Sequence, residues 1–359
     1  SMSRRTNREL VMLAQPFNPD KYRMGGMYLS LKYDGMRCVW IPWTKGRPIK
    51  DVPFANTDKD NRKHICTGLW SRYEKVNHCP AWFTEGLPAD KILDGELYIG
   101  RKAFQTLMSI CKTLDPCTLG WESIKFLIFD MPPAHAIFQD GRINNPQWSK
   151  TIVKEEIEAA FALAFPEIPS PNFTNTYNAL VRMQFPKHVE VVPQQLLPFS
   201  TPLAKEIIEK RLEEETDLGG EGLMLRHPAS LWEPIRSSAG FLMKVKKLND
   251  SEATVVGFTS GLGKYEGMLG SVRVRWYNPE LNRNIEFDLS GFTDEQRALG
   301  SGFQSWAYDN PGKPVPLDLF AHSPCLAFQV GEQLTFRYRE LSDSGIPKEA
   351  RFLRKREEV

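Results

Sequence analysis

Cysteine is scarce in this chain. Six residues, Cys38, Cys66, Cys79, Cys111, Cys117 and Cys325, spread over 359 positions are too few for a disulfide scaffold and point to a reducing compartment. No apolar run approaches the roughly 18 residues that a membrane span requires, so no membrane partner is expected. The opening SMSRRTNREL has no apolar h-region and gives no secretory signal; Ser1 ahead of Met2 reads as an expression scar. A cytoplasmic protein is expected. Excess charge is also missing. A formal net charge of +2 confines any nucleic-acid surface to a local patch. Internal repeats and low-complexity tracts are absent. His64, Cys66, His78 and Cys79 lie near one another in sequence, but their spacing matches no common zinc pattern. Ordinary packed or surface residues are the better reading.

What is present is a globular composition, 41% apolar and 25% charged, in a chain long enough for two domains at about 100–200 residues each. MYLSLK and MRCVWI read as strands around Tyr33-Asp34-Gly35, and Asp-Gly between such runs is a tight-turn signal. KILDGELYIG, IKFLIFDM, GGEGLMLR and FLMKVKKL read as further strands. SKTIVKEEIEAAFALAF has helical periodicity. STPLAKEIIEKRLEEE predicts a helix capped by Thr201, with Pro202 in its first turn. After about Leu248 the pattern changes to short strands between turns: EATVVGF, GSVRVRWY, NIEFDLS and EQLTFRYREL. That predicts a small β-barrel or sandwich, with GSGFQSWAYDNPGKPVPLDLFAHS as a long loop. The boundary is expected near Lys247, giving domains 1–247 and 248–359. SGLGKYEG imitates a phosphate loop, but no Gly-Lys-Ser/Thr follows, and it reads as a turn between barrel strands.

Lys32 ends an apolar-leaning strand just before the Asp-Gly turn. A snorkelling lysine is the ordinary explanation. The alternative is a nucleophile, held rigidly and made neutral by partial burial and neighbouring cations such as Arg37. Asp94 and Glu96 share one face of a strand. Glu221 follows two glycines that permit close backbone approach. Lys244 and Lys246 share a strand face opposite Met243 and Val245. Carboxylates suit Mg²⁺, which binds one or two of them plus substrate phosphates, and paired lysines suit phosphate oxygens. For any one pair a solvated strand face competes. Together they describe nucleotidyl transfer better than hydrolysis of a neutral bond.

In order, KYDGMR, LWSRY, LDGELYIG, FLIFD, EGLMLR and MKVK resemble the motif set of covalent nucleotidyltransferases, a superfamily of ATP-dependent DNA ligases, RNA ligases and mRNA capping enzymes. The match spans most of residues 12 to 247. ATVVGFTSGLGKYEGMLGSVRVRW and VGEQLTFRYRELSDSGIPKEARFLRKRE resemble the C-terminal OB-fold of ATP-dependent DNA ligases, in particular the compact bacteriophage or viral type. The resemblance implies an α+β adenylation domain with antiparallel sheets and flanking helices, followed by an OB-fold barrel. It implies nick sealing in duplex DNA, with ATP and Mg²⁺, by a monomer acting in replication and repair.

The resemblance also implies roles. Lys32 matches the lysine that takes up AMP, and Leu31 beside it belongs to the nucleotide site. Arg37 matches a ribose- and phosphate-side contact. Arg72 matches the arginine near the nick 5′-phosphate and the AMP phosphate. Glu96 matches a carboxylate for the ribose hydroxyls and metal, and Phe129 the aromatic stacked on adenine. Glu221 matches the metal-binding glutamate, and Lys244 and Lys246 the lysines on the α-phosphate. Many members carry Glu two residues ahead of the lysine; Ser30 holds that place here, a departure at the purine-selecting position. Arg354, Lys355 and Arg356 are candidates for orienting pyrophosphate, against a solvated charged tail. Arg4, Arg5, Arg8 and the same C-terminal arginines are candidates for DNA phosphates. With no additional N-terminal DNA-binding domain expected, any encirclement of duplex falls to loops such as 299–324. An mRNA guanylyltransferase shares the lysine, carboxylates and OB-fold, and an RNA ligase is a third option. A non-catalytic single-strand binder is the reading outside enzymes.

Overall fold

The computed structural model describes residues 9–56, 65–113, 120–137, 172–316, 318 and 326–356. The chain divides into two compact units, Ser1–Val245 and Lys246–Val359, where sequence reading expected the division at 247/248. Arg4, Arg5, Arg8, His64 and the helix expected over SKTIVKEEIEAAFALAF lie outside the described residues.

The first unit is built on two five-stranded sheets. Its strands are β1 (Gln15–Pro16), β2 (Tyr28–Lys32), β3 (Met36–Trp40), β4 (Leu69–Ser71), β5 (Leu93–Tyr98), β6 (Lys125–Asp130), β7 (Val189–Val191), β8 (Gln195–Leu196), β9 (Gly222–Arg226) and β10 (Leu242–Val245). One sheet has the order β1-β10-β9-β2-β8 and the other β4-β3-β5-β6-β7. β2 pairs with β9 and β9 with β10, both antiparallel.

Strand alternation sorts each sheet into an apolar and a polar face. In the first sheet Leu29, Leu31, Leu223, Leu225, Met243 and Val245 join one hydrophobic cluster. The helix Thr201–Asp217 covers it through Ala204 and Ile208, four residues apart on one stripe. Tyr28, Ser30, Lys32, Met224, Arg226 and Lys244 take the opposite face by register. In the second sheet Cys38, Trp40, Leu69, Leu93, Leu97, Phe126 and Ile128 form an apolar layer, leaving Arg37, Asp94 and Glu96 on the other side.

β2 and β3, the strands on either side of Tyr33-Asp34-Gly35, belong to different sheets, so this segment carries the chain from one sheet to the other. Gly35 permits this crossing, because a Cβ there would lie 2.2 Å from the Leu97 carbonyl oxygen and 3.0 Å from Glu96 Oε2. Thr201, expected as the cap of the helix Thr201–Asp217, instead opens it with Pro202; Ser200 holds the N-cap position without a side-chain capping bond.

The second unit is a five-stranded barrel of β11 (Asn249–Ser260), β12 (Leu269–Asn278), β13 (Arg283–Leu289), β14 (Gln333–Tyr338) and β17 (Arg351–Lys355), in the order β13-β12-β11-β14-β17. A parallel bridge between Ser290 and Arg351 joins the edges, the closure expected of an OB-type barrel. A two-stranded ribbon, β15 (Glu340–Leu341) with β16 (Pro347–Lys348), adjoins it. SGLGKYEG is the β11–β12 connection, with one 3₁₀ turn at Gly263–Tyr265. The stretch expected as a long loop holds the helix Ser301–Asp309, which buries Phe303 and Ala307 at i and i+4. The basic C-terminus is not a free tail: Arg351–Lys355 is the fifth barrel strand, antiparallel to β14.

Candidate active site

The polar faces of the two sheets meet, and their charges fall into two groups. Arg226 ends β9, and its Nη1 donates to Asp130 Oδ2 at 2.6 Å, joining one sheet to the other. Arg226 Nε donates to Ser230 Oγ at 2.7 Å, and the Met131 amide donates to Asp130 Oδ1 at 2.8 Å. Asp94 accepts from Arg37 Nε and Nη2, both at 2.7 Å, and from Trp232 Nε1 at 3.0 Å. Arg37 Nη2 also donates to the Met12 carbonyl. These carboxylates have donors on both oxygens, as buried charge requires.

The second group is less complete. Lys32 Nζ donates to Glu221 Oε2 at 2.5 Å, with side chains 26% and 32% exposed. Lys32 lies opposite Gly222 in the β2–β9 ladder, so strand pairing brings the ammonium beside Glu221. Glu96 stands opposite Arg37 on the adjoining sheet. Its Oε2 is buried with no hydrogen-bond partner. Burial pushes the Glu96 carboxyl up to about 7, against the pull of Arg37 and Lys32 and with further lift from Asp94 and Glu221. The Arg37 guanidinium lies 4.9 Å from the Phe129 ring centroid. Arg72 follows β4, 5.3 Å over the Tyr73 ring, and its Nε is buried without a partner.

The structure thus brings Lys32, Glu221, Glu96, Arg37 and Phe129 together. Lys244 sits on the same sheet face, opposite Met224. Leu31 has its side chain in the apolar cluster beneath and pairs with Leu223 in the β2–β9 ladder. Lys246 counts with the second unit, where its ammonium pairs with Glu340 and its carbonyl accepts from Arg339. Arg354 lies opposite Thr335 in the barrel. Lys355 Nζ lies 2.9 Å from Glu332, and Arg356 Nη1 3.0 Å from Glu252. The cation expected beside Lys32 is already matched, since Arg37 is spent on Asp94; the partner drawn against the lysine is a carboxylate. Cys66 and Cys79 lie in different cores. No cluster of three or more His, Cys, Asp or Glu able to hold a metal occurs among the described residues. Two carboxylates, one with an orphaned oxygen, instead fit Mg²⁺ held partly by substrate phosphates.

Sequence reasoning missed Asp130, Arg226 and Trp232. The available signals were an aspartate closing the apolar FLIFD and an arginine closing EGLMLR, each a charge at the end of a buried strand.

A lysine on one sheet thus stands with carboxylates from both. In sequence and in fold the chain is similar to DNA ligases. Residues 260–356 match the family described as the DNA ligase OB-like domain. The DNA ligase of Haemophilus influenzae is 23% identical over 346 residues, 96% of this chain and 92% of that protein. DNA ligase 2 of Methanosarcina acetivorans is 32% identical over 93 residues, 25% of this chain and 16% of that protein. A solved structure of a Lig E DNA ligase, described as binding DNA with a minimal scaffold, is 26% identical. It covers 96% of this chain and 98% of its own, with a TM-score of 0.50. The ligase resemblance of the motif set and of the barrel is borne out. Among the described residues no helix is long and apolar enough to cross a membrane.

Proposed function

We propose that the chain is a DNA ligase that seals nicks in duplex DNA with ATP and Mg²⁺, working as a cytoplasmic monomer in replication and repair. The observation that carries this reading is the Lys32–Glu221 contact beside the orphaned Glu96 oxygen. Glu221 is placed to accept the proton that Lys32 must lose before its nitrogen attacks. The nitrogen forms a bond to the α-phosphorus of ATP, and the bond to pyrophosphate breaks. Phe129 and Arg37 line the nucleoside side, and Glu96 Oε2 suits a ribose hydroxyl. Lys244 and, after release from Glu340, Lys246 balance charge on the α-phosphate. Mg²⁺, held by Glu221 and Glu96, would neutralise phosphate oxygens when bound. A nick 5′-phosphate, held by Arg72, next displaces Lys32 from the AMP phosphorus and leaves 5′-adenylated DNA. The 3′-hydroxyl then attacks the DNA phosphorus, forms the 3′–5′ phosphodiester and releases AMP.

Incubation with Mg²⁺ and either ATP or GTP, followed by addition of nicked DNA, tests the reading. Expected is a covalent gain of one AMP from ATP that disappears as the nick is sealed. A gain of GMP from GTP would move the assignment to a guanylyltransferase. A covalent AMP adduct on a Lys32→Ala variant would overturn the nucleophile.

A further inference from the structure

Glu96 has a neighbour on its own sheet face that the mechanism leaves unused. Along β5 the next residue on that face is Tyr98, which lies opposite Lys125. Glu96 itself lies opposite Leu127, and Leu127 opposite Glu190. Tyr33, directly after Lys32, meets Tyr98 edge-on with ring centroids 5.0 Å apart. Tyr33, Tyr98, Ile99, Lys125, Leu127 and Glu190 line a depression of about 290 Å³. Its two rings adjoin the reacting group along the chain: Tyr33 is one residue past Lys32 on the crossing segment, and Tyr98 is one row past Glu96 on the sheet.

We infer that this depression receives the nucleoside unit carrying the nick 3′-hydroxyl. The inference rests on the ligase reading and adds to it the seat of one DNA end. Charge separates this depression from a phosphate site. Lys125 and Glu190 neutralise each other at 2.7 Å, so no uncompensated cation is offered to a phosphate. The rest of the lining is two phenol rings, a leucine, an isoleucine and Ser123, a surface for a sugar and a base. The 5′-phosphate end is an anion, and the orphaned buried Nε of Arg72 supplies what it needs. The two DNA ends thus match two differently charged places. The 3′-hydroxyl end is the one without a terminal phosphate, and it belongs where the charge is already balanced. Tyr98 is a contact residue for that end, and Tyr33 orders its ring.

The test is a double-mutant cycle between protein and DNA. Wild type, Tyr98→Ala and Tyr98→Phe are each assayed on two nicks, one intact and one with a tetrahydrofuran abasic unit at the 3′-hydroxyl position. The adenylate content of each preparation identifies a variant that has misfolded. Tyr98→Ala should lower kcat/KM for the intact nick about tenfold, the size of one base–aromatic contact. The abasic unit should lower it similarly for wild type and add little to Tyr98→Ala, while Tyr98→Phe stays near wild type on both. Losses that multiply independently, or a Tyr98→Ala protein that seals like wild type, would overturn the pocket assignment alone. A wild type that seals neither nick would overturn the ligase reading and the pocket with it.

Discussion

Two carboxylate–cation pairs in the first unit look alike on paper and differ in everything around them. Arg226–Asp130 is 7% and 2% exposed, and its oxygens and nitrogens find further partners in Ser230 and the Met131 amide. Lys32–Glu221 is about a quarter to a third exposed, and it stands beside an unpartnered Glu96 oxygen. The first arrangement ties one sheet to the other. Beside the second, the buried Glu96 oxygen is unpartnered, and an unpartnered buried polar atom in a native structure is a candidate contact for a ligand. Charge alone would not separate the two; satisfaction of hydrogen bonds does.

Breaking the complete pair should produce the largest effect. Arg226→Met leaves Asp130 buried without its cation and should cost roughly 3–5 kcal/mol of stability, seen as a lower denaturation midpoint. A midpoint within experimental error of wild type would erase the distinction between the pairs. Glu221→Gln removes the proposed proton acceptor of Lys32 at the more exposed pair. AMP adduct formation should slow by about 100-fold, as for loss of one electrostatic group at a reacting centre, with stability changed by less than about 1 kcal/mol. Single-turnover adduct kinetics and a melt on the same sample check both halves.

Glu96 gives a smaller, pH-dependent effect. Its carboxyl is raised to about 7, so between about pH 4.5 and 7 the folded protein holds a proton that the unfolded chain has lost. Stability should therefore fall as pH rises through that window, by up to about 3 kcal/mol, with the full penalty present above about pH 7. Glu96→Gln should flatten this slope. Thermal melts of adenylate-free protein across that range decide it, and parallel slopes for the two proteins would place the burden elsewhere. The smallest effect belongs to the barrel. Arg337 pairs with Asp250 at the surface, each 42% exposed, and Arg337→Gln should cost less than about 1 kcal/mol by urea titration.

Much of the site was legible because strand alternation is a strong code. Placing Met243 and Val245 opposite Lys244 needs only a period of two, and it held; Lys246, expected on the same strand face, falls just past the end of β10. The Asp-Gly signal gave the turn but not the pairing: a turn residue fixes local dihedrals, whereas β2 and β3 choose partners by burial in different sheets. The helix Ser301–Asp309 was read as loop because Gly302, Ser305 and the aromatics are weak helix formers; burial of Phe303 and Ala307 decides it. The partnership of Arg226 with Asp130 spans 96 residues of sequence, a distance that no local pattern carries. The fifth barrel strand was hidden by its charge, since RFLRK pairs through its backbone at an edge where basic side chains face solvent.

The most direct test of the central claim is to digest the protein after reaction with ATP and Mg²⁺ and to map the modified peptide by mass. The account predicts a single AMP on Lys32, absent from Lys32→Arg and removed by pyrophosphate. An adduct on Lys244, Lys246 or any other residue, with Lys32 unmodified, would contradict it.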